Sequence, residues 1–327
     1  MGRRENVLNR LYNDSCKMCG NSKERKKMQA VGGFCENVLS AVDQLPVRCV
    51  GEWGQDKVFY IKEYVQMAGA GLKNKPRMQP TYIEICSGPG RNIDFSSGFE
   101  FDGTPLAVLT TDGASFFNKF IFVDIDEQTR ETLHSRIQQS EKIKQEVKDK
   151  TYVIKGDYTE PSELINTLKE CHDTKEGLNI IVVDPTDMSV PQELYSQLLR
   201  WRRKTDFIIN YAEGTDFRRN IERAITMPEF ARVREKYERV NPKLKDMSVE
   251  DLKKFSLQEF CQLFQDGFSE IFTNYGLTCE VKKDIKNYYK LLYYSSSELG
   301  LRFWKTAIKR EYSEVEAGQG ILFSDIF

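Results

Sequence analysis

Five apolar runs, each closing on an acidic, amide or glycine residue, constrain this chain more than any other feature. Tyr82 to Cys86 leads into Gly88-Pro89-Gly90, and Phe120 to Ile125 contains Asp124 near its end. Thr151 to Lys155 leads into Gly156-Asp157, Asn179 to Val183 into Asp184-Pro185, and the fifth run is Asp206 to Asn210. Their length and β-branched content predict short buried strands. Helical patterns fill the intervals. Val58, Ile61, Tyr64, Val65 and Ala68 share one face of a helix over 58–68, ended by Lys73-Asn74-Lys75-Pro76. Arg91 to Gly103 reads as a polar excursion, after which Thr104-Pro105 reads as an N-cap and first helical proline opening a helix toward Asn118. A charged helix keeps Leu133 and Ile137 inward, another spans Leu164 to Cys171, and Leu194, Leu198 and Trp201 are in register over Gln192 to Trp201. Strands alternating with helices imply a doubly wound α/β fold, a mostly parallel sheet covered on both faces. In such sheets ligands bind beyond the carboxyl ends of the strands, where the glycines and carboxylates of this chain collect.

Beyond the fifth strand the texture changes. Asp216 to Tyr275 is helical and charged, and Phe255, Phe260, Phe264 and Phe268 recur near helical spacing, which predicts core packing rather than a base-stacking platform. Leu277 to Ile285 and Tyr288 to Ser296 flank Lys286-Asn287 as a hairpin. Five parallel strands followed by a terminal hairpin predict the Rossmann-like class I methyltransferase sheet. The expected organisation is a Cys-bearing extension over 1–50, the core over 51–215, a helical insertion over 216–276, and the hairpin with a terminal helix and tail over 277–327.

Composition narrows the partners. The chain has 327 residues, 40% of them hydrophobic, enough for one large core. A net charge of −1 gives no whole-molecule field toward nucleic acid. Local basic groups remain: eight Lys/Arg against three Asp/Glu in the first thirty residues, and Arg200, Arg202, Arg203 and Lys204. Solvated faces account for both, with contact to a nucleic-acid backbone as the alternative for the second. No apolar run approaches the roughly 20 residues of a membrane span, so a cytoplasmic location without a membrane partner is expected.

The Gly88-Pro89-Gly90 turn needs its own physical account. Glycines let backbone approach a ligand closely, and free amides in such a turn can serve a carboxylate. The following helix is delayed by about a dozen residues, which argues against a pyrophosphate site, where turn and helix N-terminus coincide. A ligand with a carboxylate and no phosphate fits better, and S-adenosylmethionine is the expected cofactor. Asp124 is placed to accept from ribose hydroxyls and Asp157 from an adenine amino group. Glu84, Cys86, Gly88, Gly90 and Arg91 from the first strand and its turn, with Asp124, Asp126, Gly156 and Asp157, form the candidate cofactor set. Cys86 reads as a small packed residue within it.

Cysteine usage suggests a second ligand. Cys16 and Cys19 make a CxxC knuckle, and Cys35 and Cys49 are available to complete a thiolate tetrahedron for structural zinc, ordinary reduced thiols being the competing reading. His134 and His172 both read as surface residues.

Several runs together resemble a known family. Leu45-Pro46-Val47-Arg48, Gly51-Glu52-Trp53, Lys57, Tyr82 to Arg91, Gly103-Thr104-Pro105-Leu106, Gly156-Asp157 and Asp184-Pro185 followed by Ile209-Asn210 are similar to the three-Cys-motif partner proteins, a bacterial family of class I methyltransferase-like fold. The resemblance runs from about Leu45 to the final hairpin. It implies that Glu84, Gly88 and Gly90 belong to the cofactor loop, that Asp124 and Asp157 hold ribose and adenine, and that a radical-SAM-like three-Cys-motif protein is the partner. The cysteines in the family's name belong to that partner and lend nothing to a zinc site here. Where the family reads D-P-F-G, this chain has Asp184-Pro185-Thr186-Asp187, so an aromatic platform for a planar acceptor is missing. No Pro-Cys pair presents a nucleophile for cytosine C5 chemistry. Methyl transfer to N or O is expected, with Asp184, Pro185 and Asp187 at the catalytic position and Asp184 orienting or deprotonating the acceptor. Two rivals are a non-catalytic partner module on the same fold and a metal-dependent nuclease or hydrolase using Asp184, Asp187 and Asp124 or Asp126.

Overall fold

The computed structural model describes residues 39–51, 53–73, 75, 78–94, 99–171, 177–202, 204–227 and 231–309. Near the start, β1 (Arg48–Val50) runs into α1 (Trp53–Leu72). Then follow β2 (Thr81–Ile85), β3 (Arg91–Asp94), β4 (Glu100–Asp102), α2 (Thr104–Leu109), β5 (Lys119–Asp124), α3 (Glu127–Gln139), the short α4 (Gln145–Lys148) and β6 (Thr151–Lys155). Next are α5 (Pro161–Cys171), β7 (Asn179–Val183), α6 (Gln192–Trp201) and β8 (Thr205–Tyr211). A π-helical turn (Glu213–Phe217) opens the insertion, which holds α7 (Arg218–Thr226), α8 (Ala231–Val240), α9 (Val249–Leu252) and α10 (Leu257–Thr273). The hairpin β9 (Thr278–Ile285) and β10 (Tyr289–Ser295) and then α11 (Glu298–Lys309) complete the described chain.

Seven strands form one sheet in the order β6-β5-β2-β7-β8-β10-β9, parallel except for β10, which runs antiparallel to both neighbours. This is the class I methyltransferase arrangement anticipated from the hairpin. β2 and β7 are buried along their whole length, as central strands covered on both faces must be. Alternate residues feed two cores. Ile83, Ile121, Ile181 and Phe207 pack beneath α5, α6 and α10, while Tyr82, Phe122, Ile180 and Ile208 pack beneath α1, α2, α3 and α11.

The insertion belongs to the first core. Phe264 is fully buried, with ring centroids 4.2 Å from Phe217 and 6.0 Å from Tyr237, and Phe260 and Phe268 are buried beside it. Ser256 caps α10, its hydroxyl accepting from the Glu259 amide while the Glu259 carboxylate accepts from the Ser256 amide.

Three local expectations need correction. α1 begins at Trp53, five residues before 58, because the polar first turn with Gln55, Asp56 and Lys57 breaks the apolar pattern without breaking the helix. The excursion after the glycine turn holds β3 and β4, which join β1 in a separate three-stranded sheet. Their partner lies some forty residues upstream, so local pattern could not show the pairing. The helix after Gly103 stops at Leu109 instead of reaching Asn118. Thr110 and Thr111 turn their hydroxyls back onto the carbonyls of Leu106, Ala107 and Val108, and Thr111 then caps a separate 3-10 turn over Asp112–Phe116. The basic group near residue 200 is not wholly a solvated face either: Arg202 is 2% exposed, its guanidinium 4.2 Å from the Trp201 ring centroid. His134 is exposed as expected, and His172 lies outside the described residues.

If the insertion is part of the core, Phe264→Ala should lower global stability by about 3–5 kcal/mol in urea unfolding, as a fully buried aromatic does. A loss below about 1 kcal/mol would mean that the insertion unfolds apart from the sheet.

Candidate functional site

Sheet register places the acidic groups. Glu84 pairs with Phe122 on β5 and Val182 on β7, and Ile85 pairs with Val123 and Val183. Asp124 and Asp184 therefore lie one step beyond β2 on either side of it. By the two-residue period, Glu84, Asp124 and Asp184 all project toward the α1 side. The sheet's direction of winding reverses between β2 and β7, so the three carboxylates surround the switch point.

Glu84 is 1% exposed. Its Oε2 accepts from the Tyr82 hydroxyl at 2.8 Å, and its Oε1 has no partner. Burial, and then the charge of Asp184, push this carboxyl well above its ordinary 4.5, with Asp124 adding to the rise and the Tyr82 bond and Lys57 opposing it.

The turn itself is held by its own amides. Cys86 and Ser87 both donate to the Val123 carbonyl, at 2.9 and 3.0 Å, and Gly88 donates to Asp124 Oδ2 at 3.0 Å. The amides of Cys86, Ser87 and Gly88 are thus engaged within the fold and not open to a ligand carboxylate. Gly88 and Gly90 have φ of 68° and 84°, and a Cβ on Gly90 would stand 2.7 Å from Leu133 Cδ1. Cys86 also has φ of 67°, a left-handed position that costs a non-glycine residue about 1–3 kcal/mol. Burial, Asp124 and Asp184 raise its thiol pKa well above 9.0, which suits a packed side chain and not a nucleophile. Ser87 is buried, and its hydroxyl has no partner.

Asp184 is fully engaged. Lys57 Nζ from α1 lies 2.5 Å from Oδ2, and Asn210 Nδ2 from β8 donates to Oδ1 at 2.8 Å and to the Pro185 carbonyl at 3.1 Å. Asn210 Oδ1 is buried without a partner. Asp187 sits apart from this trio, accepting from the Ser189 hydroxyl and from Lys236 Nζ of α8 at 3.3 Å. Lys236 also bonds Asp216 at 2.7 Å, so the insertion is fastened to the loop after β7. Thr186, where an aromatic would stand in the resembling family, is exposed.

The remaining candidates divide. Asp124 Oδ1 accepts from the Asp126 amide at 3.1 Å, while Asp126 caps α3 through Thr129 N at 2.7 Å. Asp157, beyond β6, uses Oδ1 for the amide and hydroxyl of Thr159, both at 2.7 Å. Gly156 is a packing position: a Cβ there would meet Leu164 and Val123 at 2.5 Å. Arg91 turns away into an acidic cluster, 3.2 Å from Asp102 and 3.8 Å from both Asp43 and Glu100. Cys49 is exposed on β1, and Cys16, Cys19 and Cys35 lie outside the described residues. Among the described residues no group of three or more His, Cys, Asp or Glu is arranged to hold a metal ion.

Two anchoring residues went unassigned in the sequence. Arg136, 3% exposed on α3, donates to Pro89 O at 2.7 Å, to Leu45 O at 3.0 Å and through two nitrogens to Asp43 at 2.8 and 3.0 Å. Its placement between Leu133 and Ile137 on the inward face was the available signal. Asp43 is held below the usual carboxylate range: burial works against this, but the Arg136 bond, the neighbouring backbone and the Arg136 and Arg91 charges outweigh it. Lys57 is the other residue, and only the resemblance drew attention to it.

Arg136→Met should cost about 3 kcal/mol in urea unfolding, by leaving Asp43 without its fork and the glycine turn without its tether. Glu84 carries a pH signature. Its folded pKa is raised, so the unfolded chain releases this proton first, and stability falls as pH climbs from the ordinary glutamate value through the folded one. Glu84→Gln is therefore expected to gain stability over the parent toward about pH 8 and to lose that advantage near about pH 4. Parallel unfolding curves at both pH values would show that Glu84 is not buried as a neutral acid.

No family model matches the chain, and no curated protein matches it in sequence. Solved structures do. Magnesium protoporphyrin IX methyltransferase from Synechocystis PCC 6803 with bound SAH is 12% identical over 85% of this chain and 96% of that one, with a TM-score of 0.37. The methyltransferase domain of bacterial CtHen1 is 9% identical over 72% and 99%, TM-score 0.38. Protein LPL1258 from Legionella pneumophila is 11% identical over 78% and 90%, TM-score 0.39. Identities this low transfer no residue role.

Proposed function

We propose that the chain binds S-adenosylmethionine at the β2–β7 switch point and acts as a methyltransferase directed at N or O. One observation carries this reading. Glu84 Oε1, Ser87 Oγ and Asn210 Oδ1 are three buried polar atoms without partners among the described residues, and they lie at or near the carboxyl ends of β2 and β8, the strands on either side of β7, with two left-handed glycines in the turn after β2. Buried polar atoms are ordinarily bonded, so a cluster of exceptions suggests an absent ligand. The donor set fits this cofactor: acceptors for an ammonium and a ribose, and close backbone approach for an adenosine.

Bound S-adenosylmethionine supplies an activated methyl group for in-line displacement. The residues around it provide alignment. Asp124, fixed by the Gly88 and Asp126 amides, is placed to accept from ribose hydroxyls. Asp184, held by Lys57 and Asn210, orients the acceptor and is too committed to serve as a free base. The same bonds oppose a hydrolytic metal at Asp184 and Asp187. Membership in the three-Cys-motif partner proteins, with a radical-SAM-like partner, belongs to this proposal through the sequence resemblance alone.

Calorimetric titration of S-adenosylmethionine is expected to give micromolar binding that falls at least about tenfold in Asp124→Ala, the size of one lost charge-assisted bond. Absence of binding to the folded protein would refute the proposal. Binding without transfer to any N or O acceptor would favour the non-catalytic module.

A further inference from the structure

The turn that would meet the cofactor's amino-acid end has no amide to give over its first three positions. Cys86, Ser87 and Gly88 donate into β5, and Pro89 has no N–H. A ligand carboxylate arriving at these positions finds no free amide there and needs donors from side chains or from further along the turn, or it is left desolvated and unpaired at a substantial cost.

Two donors stand at the turn. Ser87 is 7% exposed, and its hydroxyl has no partner. Arg48 lies over the open side of Gly88: a Cβ built there would be 3.6 Å from Nη1 and 3.9 Å from Cζ. Because β1 pairs in parallel with β3, Arg48 opposite Asn92, the strand leaving the turn also holds the arginine above it. The guanidinium fork matches a carboxylate in shape as well as charge. Its field reaches the turn, since Arg48 pulls the Cys86 thiol down against burial and the charges of Asp124, Asp184 and Asp187.

The geometry points to Arg48 and the Ser87 hydroxyl as the carboxylate-binding pair for an α-amino acid group, an inference that rests on the cofactor reading above. The small β1-β3-β4 sheet thereby acquires a role: it carries the cation that the glycine turn lacks. Glu84, in the strand that leads into the turn, offers its unpartnered oxygen as an acceptor for the ligand's ammonium.

The test compares S-adenosylhomocysteine with its carboxamide analogue and with 5′-methylthioadenosine, which lacks the amino-acid end. The parent protein should bind the carboxylate form about 10–100-fold more tightly than the carboxamide. Arg48→Ala should erase that preference and leave 5′-methylthioadenosine affinity unchanged, and Ser87→Ala should reduce the preference partially. The comparison on the parent protein needs no variant, so a folding defect in Arg48→Ala does not shield the inference. Equal affinity for acid and amide in the parent, or an undiminished preference in Arg48→Ala, overturns it while leaving the cofactor reading intact. Failure of all three compounds to bind overturns both.

Discussion

The hydrogen bond from the Gly88 amide to Asp124 ties the turn after β2 to the end of the neighbouring strand, and the crevice depends on it. With that bond made, Gly88 and Gly90 hold left-handed conformations, Pro89 offers its carbonyl to Arg136, and Cys86 accepts a strained backbone. The turn is thus braced by a carboxylate on one side and a buried guanidinium on the other. Strain in a loop persists only where its surroundings overdetermine it, and here two charged groups do so.

Electrostatics gives the crevice its asymmetry. Glu84, Asp124 and Asp184 approach one another on one face of adjacent strands, and their mutual repulsion is relieved in three ways. Lys57 neutralises Asp184, backbone amides stabilise Asp124, and Glu84 is driven toward its neutral form by burial and its neighbours. A cationic ligand group entering this region would replace the relief that protonation provides. Arg48 Nη1 lies near Gly88, 3.6 Å from where a Cβ would stand, so groups of both signs border the turn.

The insertion contributes through contact rather than through chemistry of its own. Its phenylalanines complete the core under β7 and β8, and Lys236 joins Asp216 to Asp187 in the loop that follows β7. That loop carries Pro185, so the insertion is fastened to the loop that follows Asp184. Asp187 accepts an anchoring bond from Lys236.

The seven strands of the main sheet, their order along the chain, and the clustering of acids and glycines at their carboxyl ends were legible in the sequence. β-branched apolar runs ending in such residues can fold in few ways, and the 3.6-residue period of Phe260, Phe264 and Phe268 is legible without a partner. Which polar groups satisfy one another was not legible there and was settled by the packing of the folded chain. The pairing of β1 with β3, the capture of Asp184 by Lys57 and Asn210, and the clamp of Arg136 on Asp43 and Pro89 join residues from about 25 to over 120 positions apart. Hydrophobic periodicity reports the face a residue occupies. It says nothing of the partner that a charge on that face will find, because such partners are set by sheet register and helix placement.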